Sequence, residues 1–259
     1  MPRDELHTTE EWIEILKKQA EFTKEYRHNL YQKISIKDKE KILDIGCGTG
    51  VITADIASLT QGCITGIDID KKKLDHARTL VPDTVHIMTA DAVNLPFKDN
   101  TFDLVIFHVV LVHIKEQQKA IKEMARVTQK NGTVLAVLEP DYAGELCYPE
   151  NKMRLALLER MKDMGVDTTT GRRLKCLFSR AGLKTELGIC TIPLDFLNKD
   201  VTEQLADFQK NFPSAKKTLA KIGWTGEQIE KYKQETLEII KENIGFSFIP
   251  AFYAIGRKV

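Results

Sequence analysis

The stretch ILDIGCGTG, residues 42–50, constrains this chain more than any other: a short apolar run enters three glycines at alternate positions, Gly46, Gly48 and Gly50, just before a helical pattern. Glycine accepts the backbone angles of a tight turn and lets a ligand approach the main chain with no Cβ in the way. A nicotinamide-binding turn needs G-x-G-x-x-G so that pyrophosphate can sit at the helix N-terminus. Here the last position is Val51, and Asp44 stands two residues before the first glycine. A carboxylate at that place repels pyrophosphate but can accept hydrogen bonds from an ammonium group.

The same grammar continues along the chain. Apolar runs at 41–45, 63–68, 84–89, 102–110 and 132–139 read as strands, with helical stretches at 51–59, 71–80 and 115–129 between them. Strands alternating with helices imply right-handed crossovers and a mainly parallel sheet covered on both faces. A leading helix is expected before the first strand, capped by Thr8 and Glu11 and carrying Trp12, Ile15, Leu16, Phe22, Tyr26 and Leu30 at helical spacing. Beyond Pro140 the expected elements are helices at 149–164 and 170–181, a strand at 183–192, a helical insertion at about 200–243 broken by Pro213 and the Gly223 and Gly226 pair, and a last strand within 245–258. If the last two strands pair antiparallel at the sheet edge, the insertion must sit over one end of the sheet. The expected units are therefore a lid helix at 1–34, a core at 35–192 and 245–259, and a helical cap at 193–244.

Acidic residues stand where ligands bind in open α/β sheets, at the carboxyl ends of strands. Asp68 ends the second strand, eighteen residues beyond Gly50, where an acidic side chain can take both hydroxyls of a ribose. Asp91, in TADAVNLPF, follows the third strand, where it can accept from an adenine amino group. His108, His113 and Glu139 fall near the ends of the fourth and fifth strands and are the candidates for contact with a substrate, His108 and Glu139 foremost. Tyr26, Arg27 and Tyr31 precede the first strand by about one helix length and can close over a ligand.

On these motifs the chain resembles the class I S-adenosylmethionine-dependent methyltransferases, and within them the small-molecule subgroup that includes ubiquinone and menaquinone methyltransferases. The likeness runs over roughly 25–140, from YRHNLYQKI through LDIGCGTG, GIDID, ADAVNLPFKDNTFDLV and FHVVLVHI to LEPDY. It implies a doubly wound, Rossmann-like α/β fold with a mainly parallel seven-stranded sheet, an antiparallel edge strand and helical lid insertions. It also implies S-adenosylmethionine as cofactor, its methionine portion at Asp44, Gly46, Cys47 and Gly48, its ribose at Asp68, its adenine at Ile69, Asp91 and Ala92, and His108 beside the sulfonium. Tyr26 is added as a cofactor contact from the lid. Transfer from a sulfonium is an in-line displacement of an already activated methyl group, so no metal and no covalent nucleophile is expected. The expected acceptor is a small organic molecule; an RNA or protein acceptor, or a partner-binding protein without turnover, are the alternatives.

Composition limits those alternatives. Lys plus Arg (38) nearly cancels Asp plus Glu (37), which disfavours a nucleic-acid binder held by a global positive field. The basic stretch 171–182, with Arg172, Arg173, Lys175 and Arg180, reads mainly as a solvated helix face. Cys47, Cys63, Cys147, Cys176 and Cys190 form no C-x-x-C pair, as expected of reduced cytoplasmic thiols. No apolar stretch approaches eighteen residues, so no membrane partner is expected, and nothing in the sequence specifies an oligomeric state. Phe196, Leu197, Leu205, Phe208, Phe212, Leu219 and Trp224 of the insertion can pack a small cap or line an acceptor pocket.

Overall fold

The computed structural model describes residues 9–190 and 199–259. The cap expected at Thr8, the last two residues of the strand expected at 183–192, and Phe196 and Leu197 lie outside them.

β1 (Lys41–Ile45) runs through the middle of a seven-stranded sheet between β2 (Cys63–Asp68) and β4 (Phe102–Phe107). β3 (Val85–Thr89) lies outside β2, and β5 (Thr128–Pro140) outside β4, all in parallel. β9 (Ala251–Lys258) then inserts antiparallel between β5 and β7 (Leu183–Ile189), giving the order β3-β2-β1-β4-β5-β9-β7.

Side chains alternate across a strand, and both faces of the central strands are apolar. Leu43, Ile45, Val105, Phe107, Val134 and Ala136 meet Ile121 and Met124 of α5 (Gln117–Val127) and Leu174, Leu177 and Phe178 of α7 (Thr170–Arg180). Ile42, Ile64, Leu104, Ile106, Leu135 and Val137 meet Leu30 and Tyr31 of α2 (Lys24–Lys33), Ile56 of α3 (Val51–Ala57) and Leu74 and Ala77 of α4 (Lys71–Leu80). Each such side chain taken fully out of water contributes roughly 1.5–3 kcal/mol, so the sheet is held from both sides. The loops at its carboxyl end are left to bind.

Three local expectations are revised. The leading helix is two, α1 (Thr9–Phe22) and α2, separated at Thr23, whose hydroxyl donates to the Gln19 carbonyl (2.8 Å). Pro213 does not break its helix: α8 (Val201–Lys221) runs through it. The proline is exposed there, so the carbonyl one turn back can turn to water for the bond the ring cannot donate. The run 245–258 is two strands, because Pro250 interrupts it: β8 (Phe246–Phe248) leaves the sheet to pair with β6 (Leu146–Tyr148), and β9 begins after the proline. α8 and α9 (Gly226–Lys241) each start on a complete capping box, Asp200 with Glu203 and Thr225 with Gln228, and pack against each other.

Candidate active site

The site begins where β1 stops. Gly46, Gly48 and Gly50 all have positive φ (+68°, +53° and +82°), and the loop they form is tied to β2 by the Cys47 N–H, which donates to the Ile67 carbonyl (2.9 Å). At Gly46 the need for glycine is steric as well: a Cβ there would stand 2.6 Å from Cγ2 of Val110. The loop is therefore pressed between β2 and the turn that follows β4.

Two carboxylates flank it. Asp44 is 3% exposed and accepts the Thr53 hydroxyl (2.6 Å) from α3. Burial pushes its carboxyl up to about 7, against the pull of the Thr53 bond and of Arg27, with Asp68 adding to the rise. Asp68 accepts the Gly48 N–H (3.0 Å) on one oxygen and the Asp70 N–H (2.9 Å) on the other. These bonds orient the carboxylate and leave it free lone pairs, since each oxygen has two. Cys47, buried between them, has its thiol pushed well up by burial and by both aspartates, so it stays protonated.

Farther along the same end, Ile69 is 50% exposed, and Asp91 accepts the Val93 N–H (3.0 Å) beside the buried Ala92. The Ala90 N–H donates to the Asp68 carbonyl (3.2 Å), which brings this loop to the end of β2. Asp44, Gly46, Cys47, Gly48, Asp68, Ile69, Asp91 and Ala92 thus lie along one carboxyl edge of the sheet.

The register of β1 and β4 pairs Ile45 with Phe107, so Gly46 and His108 leave the sheet side by side. His108 is part-exposed as a residue, but its Nε2 is buried and has no hydrogen-bond partner among the described residues. Burial, with the positive charge of Arg27, holds the imidazole down at about 3, so the ring is neutral. His113, at the end of the short helical turn Leu111–His113, is exposed.

Glu139, expected to reach an acceptor, is placed with no exposed surface, its oxygens taken up by the N–H groups of Val110 (2.7 Å), Leu111 (3.3 Å) and Val112 (3.4 Å). Tyr26 donates to the Val137 carbonyl of β5 (3.3 Å), and burial together with Cys190 keeps its phenol from ionising.

Arg27 does more than its place beside Tyr26 suggests. It is 1% exposed, donates from Nη1 to the Thr23 hydroxyl (2.6 Å) and from Nη2 to Asp55 (2.7 Å), and leaves Nε without a partner among the described residues. Asp55 also meets His28 (2.9 Å), so α2 is tied to α3, the helix that begins at the glycine loop. Thr53 and Asp55 were not legible as site residues, because a threonine and an aspartate inside a helix carry no motif. They become visible only when α3 is docked.

Among the described residues no group of three or more His, Cys, Asp or Glu is placed to hold a metal. The structure does offer what a nucleoside with a charged amino-acid tail requires. It has a glycine loop open to the main chain, an acidic side chain at the end of β2, a second at the end of β1, and, among the described residues, no partner for the buried His108 Nε2 and Arg27 Nε.

This is a doubly wound, Rossmann-like α/β core with its ligand-facing groups at the carboxyl edge. Residues 43–136 match the family described as methyltransferase domain. An uncharacterized methyltransferase of Schizosaccharomyces pombe is 32% identical over 154 residues, 54% of this chain and 55% of that protein. A demethylmenaquinone methyltransferase of Staphylococcus haemolyticus is 30% identical over 118 residues, 44% of this chain and 49% of that one. The match spans about half the length of these curated relatives. Among solved structures, phosphoethanolamine N-methyltransferase 2 of Haemonchus contortus, in complex with phosphomonomethylethanolamine and S-adenosylhomocysteine, superposes with a TM-score of 0.62 at 17% identity, over 91% of this chain and 53% of that one. Residues 43–136 thus match a methyltransferase domain, and the two curated proteins that share this stretch are named as methyltransferases.

Proposed function

We propose that this chain transfers a methyl group from S-adenosylmethionine to a small organic acceptor. The observation that carries the reading is the pair Asp44 and Asp68 on either side of the glycine loop, with His108 beside it, its Nε2 unpartnered among the described residues. Asp68 would hold the ribose, Ile69, Asp91 and Ala92 the adenine, and Asp44, Gly46, Cys47 and Gly48 the methionine portion, with Asp44 facing its ammonium. When bound, the cofactor supplies an activated methyl on a sulfonium. The protein's own part is alignment and exclusion of water, which can supply most of the acceleration in such a displacement.

His108 suits a cationic neighbour because it is neutral. An imidazolium there would repel a sulfonium, and burial with Arg27 keeps the ring uncharged. The same depression makes it a poor proton acceptor, so its role is to position an acceptor or shape the pocket. A small acceptor fits the near balance of positive and negative side chains. It also agrees with the small molecules printed for two similar proteins, demethylmenaquinone in the name of one and phosphomonomethylethanolamine in complex with the other. No described helix is long and apolar enough to cross a membrane.

Isothermal titration with S-adenosylmethionine, S-adenosylhomocysteine and NAD, on the wild type and on Asp68→Ala, tests the reading. Micromolar binding of the two sulfur compounds, weakened at least about tenfold in the variant and absent for NAD, is expected. Acceptors are then screened with labelled methyl donor. A wild type that binds neither sulfur compound would end the proposal.

A further inference from the structure

The turn after β4 is strained. Val109 sits at φ +52°, a region that a β-branched side chain avoids, and the next residue, Val110, presses against the glycine loop. Nothing in the local run HVVLV favours that shape. It is held from outside: the Val109 N–H donates to the Leu138 carbonyl (2.9 Å), Gln117 donates to the Leu111 carbonyl (2.9 Å), and the Asp167 N–H to the Val112 carbonyl (2.9 Å). The remaining N–H groups, of Val110, Leu111 and Val112, all go to Glu139.

Glu139 comes to this turn because β5 slips by one residue against β9. Ala136 pairs with Ala254, but Glu139 pairs with Phe252, and the bulge between them re-aims the side chains beyond it. A carboxylate with no exposed surface has thereby been spent on three backbone amides.

Taking the methyl-transfer reading as its basis, we propose that Glu139 is a positioning residue whose buried carboxylate clamps the strained Val109–Val112 turn and so fixes His108 and Val110 against the glycine loop.

The clamp needs the charged form. Two anionic oxygens accept from three amides, whereas a protonated carboxyl turns one oxygen into a donor aimed at donors. Burial pushes the Glu139 carboxyl up to about 7, against the pull of the three N–H groups. Among the described residues no opposite charge is a cause of the Glu139 shift. Tyr142, just beyond β5, is a half-buried phenol pushed up to about 12 by desolvation and by Glu139 itself. Asp141 is engaged by Arg172 of α7 (2.7 Å from Nη2), and His108 is neutral. Above about 7 the carboxylate is charged and accepts from all three amides, at a cost in burial that lowers the stability of the fold as a whole.

Amide hydrogen exchange and S-adenosylhomocysteine titration test this on the full chain with Glu139→Gln, Glu139→Asp and, as a core truncation away from the turn, Leu135→Ala. Glu139→Gln is expected to speed exchange at Val110, Leu111 and Val112 by about tenfold or more while β1 amides are unchanged, and to weaken binding at pH 8 by about tenfold. Glu139→Asp should recover part of both. The proposal is overturned if the turn exchanges alike in wild type and Glu139→Gln, or if Leu135→Ala weakens binding as much. A wild type that binds no S-adenosylhomocysteine would sink the methyl-transfer reading, while the exchange comparison still judges the clamp.

Discussion

Asp44→Asn should stabilise the ligand-free protein and weaken its hold on the cofactor. In the unfolded chain the Asp44 carboxyl titrates near 3.8, and burial raises it to about 7 in the fold. Between those values the folded state keeps a proton that the unfolded state has lost. Stability therefore falls as pH rises through that window and levels off above about 7. At roughly 1.4 kcal/mol per tenfold, the full rise corresponds to ~4 kcal/mol of cost for holding the charge at neutral pH and above. Water entering the open site trims this, so a measured gain of about 2 kcal/mol is expected for Asn at pH 8, some 4 °C in melting temperature for a chain of this size. Asn keeps an oxygen for the Thr53 hydroxyl, so the local hydrogen bond survives.

The binding assay reads the other side. An ammonium beside Asp44 needs the ionised form, so the wild type should bind S-adenosylhomocysteine more tightly at pH 8 than at pH 6. Asp44→Asn should bind about tenfold or more weakly at pH 8, with a flatter pH profile. Denaturant melts and titrations at pH 5, 6 and 8 decide it. If Asp44→Asn loses as much stability as the wild type between pH 5 and 8, Asp44 does not carry the buried charge and the reasoning fails. Some slope will remain in the variant, because Glu139, raised from 4.5 to about 7, contributes in the same direction.

Other substitutions probe the frame. Gly46→Ala forces a side chain to φ +68° and into Val110, so a loss of about 1–3 kcal/mol and of cofactor binding is expected; an unchanged melt would show that the turn can yield. Arg27→Met leaves Asp55 with only His28 and is expected to cost about 3 kcal/mol, checked by thermal melting. The same variant removes the charge that helps to depress His108, so the imidazole should titrate above about 3 by NMR.

The alternation of apolar runs with helical stretches was enough to specify a parallel sheet with helices on both faces, because a strand buried on both sides must be apolar at every position. Gly46, Gly48 and Gly50 pointed in the same way to a tight turn of positive φ after β1, since backbone angles of that kind leave few other residues possible. The splitting of 245–258 was less visible: Pro250 signals an interruption, but only pairing with residues 146–148 takes the first half out of the sheet.

What Glu139, Arg27 and Val109 do depended on the folded chain. Glu139 at the end of a strand reads equally as a base, a cap or a surface charge, and a one-residue slip between β5 and β9 turns it onto a turn 27–29 residues earlier in the chain. Arg27 reads as one more cation on a helix until α2 docks against α3 and buries it. The difference is physical: periodicity and backbone freedom are local properties written in neighbouring residues. Desolvation and the partners of a buried charge are set by segments that meet only when the sheet closes.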